Sequence, residues 1–181
     1  MEAIECLKTR RSVRKYTDQE VERDVLNQII ETTSYAPSWK NTQIVRYIIV
    51  EDKEKISQIA SLGVLGFAYN TKTMERSEVL AVQTIVKGIS GYEPDGTFST
   101  DKGDGWEMYD AGISAQTFCL AAHAYGIGTV IMGVVDDKMI GEILDIPEDQ
   151  TVTAVIGVGY PAVNKNQAPQ RKKVEELVRY I

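Results

Sequence analysis

Residues 106–125 run apolar, with small residues (Ala111, Gly112, Ser114, Ala115, Ala121, Ala122) around much of the circumference of a helix. A helix that is apolar on most sides cannot rest on a surface with one face in water. It has to be enclosed, against a sheet or a partner chain. Small side chains let that enclosure come close, and Gly126 supplies the left-handed residue that ends the helix. The remaining elements must therefore wrap a central rod.

The wrapping elements can be read from their periodicity. Residues 2–9 form a short helix. Thr17-Asp18-Gln19-Glu20 has the form of a capping box, which predicts a helix starting there. Its inward residues are Val21, Val25, Ile29, Leu26, Ile30 and Thr33, and it ends before Pro37. The β-branched run 44–50 reads as a buried strand, and 78–86, 129–132 and 151–158 as further strands. A helix is expected over 53–62, and a second one capped by Asp136 through Leu144. Residues 88–105, rich in glycine and aspartate with Pro94, form a long surface loop. Asp101-Lys102-Gly103-Asp104-Gly105 lacks the alternating ligands and closing glutamate of a calcium loop. From Pro161 the tail is mostly irregular. Helices interspersed with strands give an α/β or α+β class.

With 181 residues and 43% apolar content the chain makes one domain with an ample core. No stretch is apolar for the ~18 residues a membrane span needs, and the N-terminus lacks the apolar region of a leader. A formal net charge of −6 argues against nucleic-acid binding, which needs a broad positive face. Cys6 and Cys119 lie far apart and give no disulfide framework, so a reducing cytoplasm is the expected compartment. The single histidine, His123, stands in an apolar helix and reads as a core residue. No metal-ligand spacing and no nucleophile elbow is present. An enzyme with so few reactive side chains needs a cofactor to carry the reaction.

Against the acidic background two basic clusters stand out: Arg10-Arg11-Ser12-Val13-Arg14 near one end and Arg171-Lys172-Lys173 near the other. The guanidinium fork matches phosphate geometry, so clusters that met in the fold would clamp one phosphate. Gly157-Val158-Gly159-Tyr160-Pro161-Ala162 matches the dinucleotide string Gly-x-Gly-x-x-Ala. That fingerprint must open a helix, whereas Pro161, Asn164-Lys165-Asn166-Gln167 and Pro169 follow. A Rossmann dehydrogenase is thereby excluded. Between a helix end and a strand lies Ala36-Pro37-Ser38-Trp39-Lys40-Asn41-Thr42-Gln43, a turn with several projecting polar groups.

Taken together, Arg10-Arg11-Ser12-x-Arg14 and Pro37-Ser38-x-x-Asn41-x-Gln43 resemble the FMN-dependent nitroreductase family, and the likeness continues in order along the chain. Asn70 matches a mid-chain asparagine that touches the flavin in some members. Asp110-Ala111-Gly112-x-x-Ala115-Gln116 and Gly126-Ile127-Gly128-Thr129 look like the family's central helix and following turn. Met132-Gly133 falls where backbone amides approach the isoalloxazine. Gly159-Tyr160-Pro161 with Arg171 and Lys173 resembles the closing segment, which returns to the phosphate.

The resemblance implies an α+β fold, a three-layer α/β/α sandwich with a mixed, mainly antiparallel sheet and a central helix. It implies non-covalent FMN, with NADH or NADPH as co-substrate. Arg10, Arg11, Ser12 and Arg14 would hold phosphate and ribityl chain. Pro37, Ser38, Trp39, Asn41 and Gln43 would reach the flavin from the partner subunit of a homodimer. Two electrons would pass by a ping-pong mechanism to nitroaromatic, quinone or similar small acceptors. Lys40 and Lys72 stand near candidate positions for the flavin N1/O2 edge but read as solvated. Two departures fall where acceptors bind: Ile44-Val45 replaces the Pro-Trp of many members, and the 88–105 loop replaces a helical excursion. A flavin-handling protein with little turnover, and a nucleotide-binding regulatory module, are the alternatives; the second lacks any phosphate loop.

Overall fold

Four strands, β1 (Val45–Val50), β2 (Val79–Val86), β3 (Gly128–Met132) and β4 (Gln150–Gly159), form one sheet in the order β1-β2-β4-β3. The structure is a computed structural model that describes residues 1–162 and 168–181. Every neighbouring strand pair is antiparallel. The parallel component expected of a mixed sheet is a single bridge, Ser12 to Thr129, on the outer edge of β3.

The helices divide between the two faces. α2 (Arg23–Thr33) and α5 (Gly105–Ala124) cover one side, where Leu26, Ile29, Phe118 and Ala122 meet Val79, Ala81, Ile156 and Val158. α3 (Lys53–Leu62), α4 (Ala68–Met74) and α6 (Asp137–Leu144) cover the other, where Ile56, Ile59, Met74 and Ile140 meet Leu80, Val82, Val130 and Val155. Alternate residues of β2 thus point into two different cores, which is why its sequence is continuously apolar rather than alternating. Phe118 is fully buried and stacks on Tyr47 with ring centroids 5.0 Å apart. Truncating it to alanine is expected to cost about 3–5 kcal/mol. α1 (Ala3–Thr9) lies against α5, held by the buried Cys6, whose thiol donates to Leu120 O. The sandwich has its three layers; α5 buries Ala111, Ala115, Phe118 and Ala122 toward the sheet and leaves a stripe of Met108, Tyr109, Gly112 and Gln116 exposed, so within one chain it is covered on one side and not enclosed.

Several elements depart from the sequence reading. The capping box at Thr17 does not start a helix: α2 begins at Arg23, with Glu22 at the N-cap and no side-chain cap. The Thr17 N–H instead donates to Tyr160 O, and Val21 is drawn into the core with 1% exposure. Tertiary pairing outweighs the cap, a contribution of roughly 1 kcal/mol. The 44–50 run is an edge strand and only partly buried. α4 has no counterpart in the sequence reading: Tyr69, Asn70, Thr71, Lys72 and Thr73 are polar and weak helix formers, and no side chain caps it. Asp136 does cap α6, accepting from Met139 N–H at 3.0 Å, and Gly126 does take the left-handed conformation at φ 79. The tail residues 164–167, read as non-helical, lie outside the described residues.

Candidate functional site

Residues 10–14 run along the outer edge of β3. Val13 N–H donates to Thr129 O at 2.9 Å, and Gly128 lies so close beneath that a Cβ there would stand 2.8 Å from Val13. None of the three guanidiniums meets a carboxylate among the described residues. Arg11 donates through Nη1 to Lys8 O and Arg10 O, both at 2.8 Å, while its Nε is buried without a partner. Arg14 stands 5.9 Å over the ring of Tyr69. A buried N–H with nothing to donate to, amid three unneutralised cations, fits an anion such as phosphate.

The same edge carries more of the expected site. Asn70 is buried and donates from Nδ2 to Val134 O at 3.1 Å, which fixes the turn after Met132 and Gly133. The space over Gly133 is open: a Cβ would meet nothing within 4 Å. Met132 itself is buried in the sheet, so only its backbone can face a ligand.

The 37–43 loop lies elsewhere. Ser38 Oγ accepts from Gln43 N–H at 3.0 Å, and Arg46 Nη1 donates to Gln43 O at 2.6 Å. Lys40 (φ 44), Asn41 (φ 57) and Gln43 (φ 50) all take left-handed backbone. Lys40 is partnered with Glu93 at 3.1 Å, not held toward a flavin edge. The Trp39 ring packs 4.6 Å from Trp106, and the backbone N–H of Trp39 donates to both oxygens of Asp110. A cavity of about 430 Å³ opens between Pro37, Ser38 and Thr42 of the loop, Tyr47 of β1 and Ser114 of α5. Tyr47 hydrogen-bonds Ser114 and Gln83, and burial pushes its phenol up to about 12.

These two groups sit at opposite corners of the sheet. The loop leads into Val45, level with Thr151 of β4 through Ile85, whereas Ser12 meets Thr129, level with Val158. That is about seven residues along β4, roughly 23 Å, and four strand spacings of about 4.8 Å across, the last from β3 to the Arg10–Arg14 segment beside it. One chain brings Arg10–Arg14, Asn70 and Met132–Gly133 together and leaves Pro37–Gln43 apart. Arg171 and Lys173 join neither group. Residues 168–181 are wholly exposed, and every hydrogen bond described for them is internal to the tail.

His123 is half-buried, not a core residue. It sits under the first cluster, 2.9 Å from Thr9 Oγ1, which already donates to Glu5 O and so accepts from Nε2–H. Burial, then Arg10 and Arg11, hold its pKa below the usual value. The Gly157/Gly159 pair has a packing reason: a Cβ at Gly159 would stand 2.8 Å from the Tyr16 ring. Asp110, buried within α5, was missed by sequence reasoning. The signal was there, an acid inside an apolar helix, and it also accepts from Ser90 Oγ at 2.7 Å.

Comparison with known proteins bears on the family and the fold. The Nitroreductase family model matches residues 7–160. An FMN reductase (NAD(P)H) of Bacillus subtilis is 31% identical, over 93% of this chain and 70% of its own. The crystal structure of an FMN-dependent nitroreductase from Clostridium difficile superposes with TM-score 0.78 at 28% identity, covering 98% of both chains. The fold is shared further with a nitroreductase family protein from Streptococcus pneumoniae: TM-score 0.86, 21% identity, 99% of this chain and 100% of that one. The matched span runs from α1 to the end of β4 and takes in both corner groups but not the tail cations, which belong to neither; over that span the chain belongs to the nitroreductase family.

Proposed function

We propose that this protein is an FMN-dependent oxidoreductase that draws two electrons from NADH or NADPH and delivers them to small electron-poor acceptors such as nitroaromatics or quinones. It works as a homodimer with a site at each end of the interface. The observation that carries this reading is the diagonal separation of two half-sites, each suited to a different part of one ligand. Arg10, Arg11, Ser12 and Arg14 are placed to hold a phosphate and its chain, and Arg171 and Lys173 of the exposed tail would close on it in the dimer. Asn70 and the backbone after Met132 are placed to meet a heterocycle's polar edge. Pro37, Ser38, Trp39, Asn41 and Gln43 would come to that heterocycle from the second protomer.

The flavin, when bound, supplies the hydride and electron chemistry. The chain's own residues bind, orient and exclude water. Backbone amides near Gly133 and the cations of the 10–14 segment favour negative charge at the site. No histidine or thiol is placed to give up a proton there: His123 donates to Thr9, and burial holds the Cys119 thiol up. The acceptor's proton would therefore come from solvent or from the flavin. One open face over Gly133 serves donor and acceptor in turn, which is the ping-pong order. Among the described residues no helix is long and apolar enough to cross a membrane. Cys6 and Cys119 are free and buried, which suits a reducing cytoplasm.

Purified protein incubated with FMN should retain it, elute as a dimer in light scattering, and oxidise NAD(P)H faster when a nitroaromatic or quinone is added. Double-reciprocal plots should be parallel. Retention of FMN without acceptor-stimulated oxidation would favour the flavin-handling alternative; a monomer that binds FMN tightly would refute the split site.

A further inference from the structure

We propose that Asp110 is a positioning residue that sets the shape of the 38–43 loop where it meets the cofactor of the partner protomer; this rests on the FMN-dependent reading above. The loop holds three non-glycine residues in left-handed backbone, a conformation that persists only where the surroundings over-determine it. Most of the contacts that hold it are themselves local or exposed: Ser38 to Gln43, Arg46 to Gln43, Lys40 to Glu93. Asp110 is different. It is 2% exposed, it lies on the buried face of α5, and both its oxygens accept from the backbone N–H of Trp39, at 3.0 and 3.1 Å.

A carboxylate buried without a cation is costly, and its described donors, Trp39 N–H and Ser90 Oγ–H, are all neutral. Its position explains the arrangement. Accepting from Ser90 as well, it ties the cofactor loop and the start of the 88–104 excursion to one point on the central helix. Trp39 packing against Trp106, one turn earlier on α5, with the rings tilted at 45° and centroids 4.6 Å apart, reinforces the same anchor. The geometry of the loop is thus referred to α5, a 20-residue helix packed on the sheet.

The test compares Asp110→Ala, Asp110→Asn, Asp110→Glu and Ser90→Ala, reading FMN affinity, the visible absorption band of bound FMN, and amide exchange. Asp110→Ala should weaken FMN at least tenfold, move the band toward that of free FMN, and speed exchange at residues 39–43 tenfold or more while β2 and β4 stay protected. Asp110→Asn keeps an oxygen for Trp39 N–H and should stay within about threefold of wild type. Ser90→Ala should speed exchange in the excursion and leave FMN affinity intact. Should Asp110→Ala not fold, Asp110→Glu, with its charge kept but its oxygens displaced, should show the same losses. Unchanged affinity and exchange in the Ala or Glu variant would overturn the proposal, as would equal losses in the Asn and Ala variants. If wild-type protein takes up no FMN, the functional reading fails, and exchange at 39–43 still decides the role of Asp110.

Discussion

The ring of Tyr16 lies against the α-carbon of Gly159, where a methyl group would stand 2.8 Å from Cδ1 and 3.0 Å from Cγ. Two residues on, a methyl at Gly157 would stand 3.1 Å from the Tyr16 hydroxyl and 2.7 Å from Ser77 Oγ. That hydroxyl donates to Val13 O at 2.6 Å, so the tyrosine fastens the middle of the Arg10–Arg14 segment to the centre of the sheet. Burial raises the phenol's pKa, which keeps it a donor at any physiological pH.

Gly159→Ala should therefore destabilise the protein by about 1–3 kcal/mol, the usual range for forcing a methyl into a packed site. Urea denaturation measures this directly. An unchanged midpoint would show that the ring swings aside without loss.

Arg10→Gln combined with Arg171→Gln should weaken FMN on the order of a hundredfold or more, since hydrogen bonds to charged groups are worth roughly 1.5–3 kcal/mol each. Affinity for riboflavin, which lacks the phosphate, should change little. Equal losses for both ligands would place these arginines on something other than phosphate.

His123 should make the protein less stable in mild acid. Its folded pKa lies below 6.5, through burial first and then Arg10 and Arg11. The unfolded chain takes up the proton more readily, so the stability present above about pH 6.5 falls as pH drops below that value. Between pH 7.5 and 5.5 the wild-type midpoint in urea should drop further than that of His123→Gln. NAD(P)H turnover should survive His123→Ala apart from packing loss; a collapse in well-folded protein would assign the imidazole to the chemistry.

Gly91→Ala should loosen the 88–104 excursion alone. Gly91 has φ +84, and a methyl there would stand 2.7 Å from Gly103 O, a backbone atom that cannot step aside. A cost of about 1–3 kcal/mol is expected from the strained conformation. Amide exchange should quicken between residues 88 and 104 while FMN affinity holds and the KM for the acceptor changes. Loss of FMN would show that the excursion also shapes the cofactor site.

The sequence made α5 legible as a helix through its long apolar run, though within one chain its Met108, Tyr109, Gly112 and Gln116 stripe stays exposed; β2 was legible because its two faces enter two cores. What it hid were the outcomes of competition. Thr17 carries a sound capping signal, yet its N–H is taken by a residue 143 positions away. The 44–50 run is as β-branched as a central strand, but its place at the edge follows from chain order, not from its own residues. In the site, the charged and polar residues could be picked out singly, whereas their division between two corners depends on the strand order. Asp110 was visible only as an irregularity, an acid where the helix has no room for one.

The diagonal layout has a genetic consequence. In the homodimer proposed above, a chain crippled in its Arg10–Arg14 segment would still lend a sound 37–43 loop to its neighbour, and a chain crippled in the loop would still lend sound arginines. Two inactive variants co-expressed in equal amounts should then restore activity to about a quarter of all sites, because half the dimers are mixed and each mixed dimer gathers every good part into one site. Selection on either half acts through the company the chain keeps, so a defective allele can poison or be rescued by its partner according to which corner it strikes.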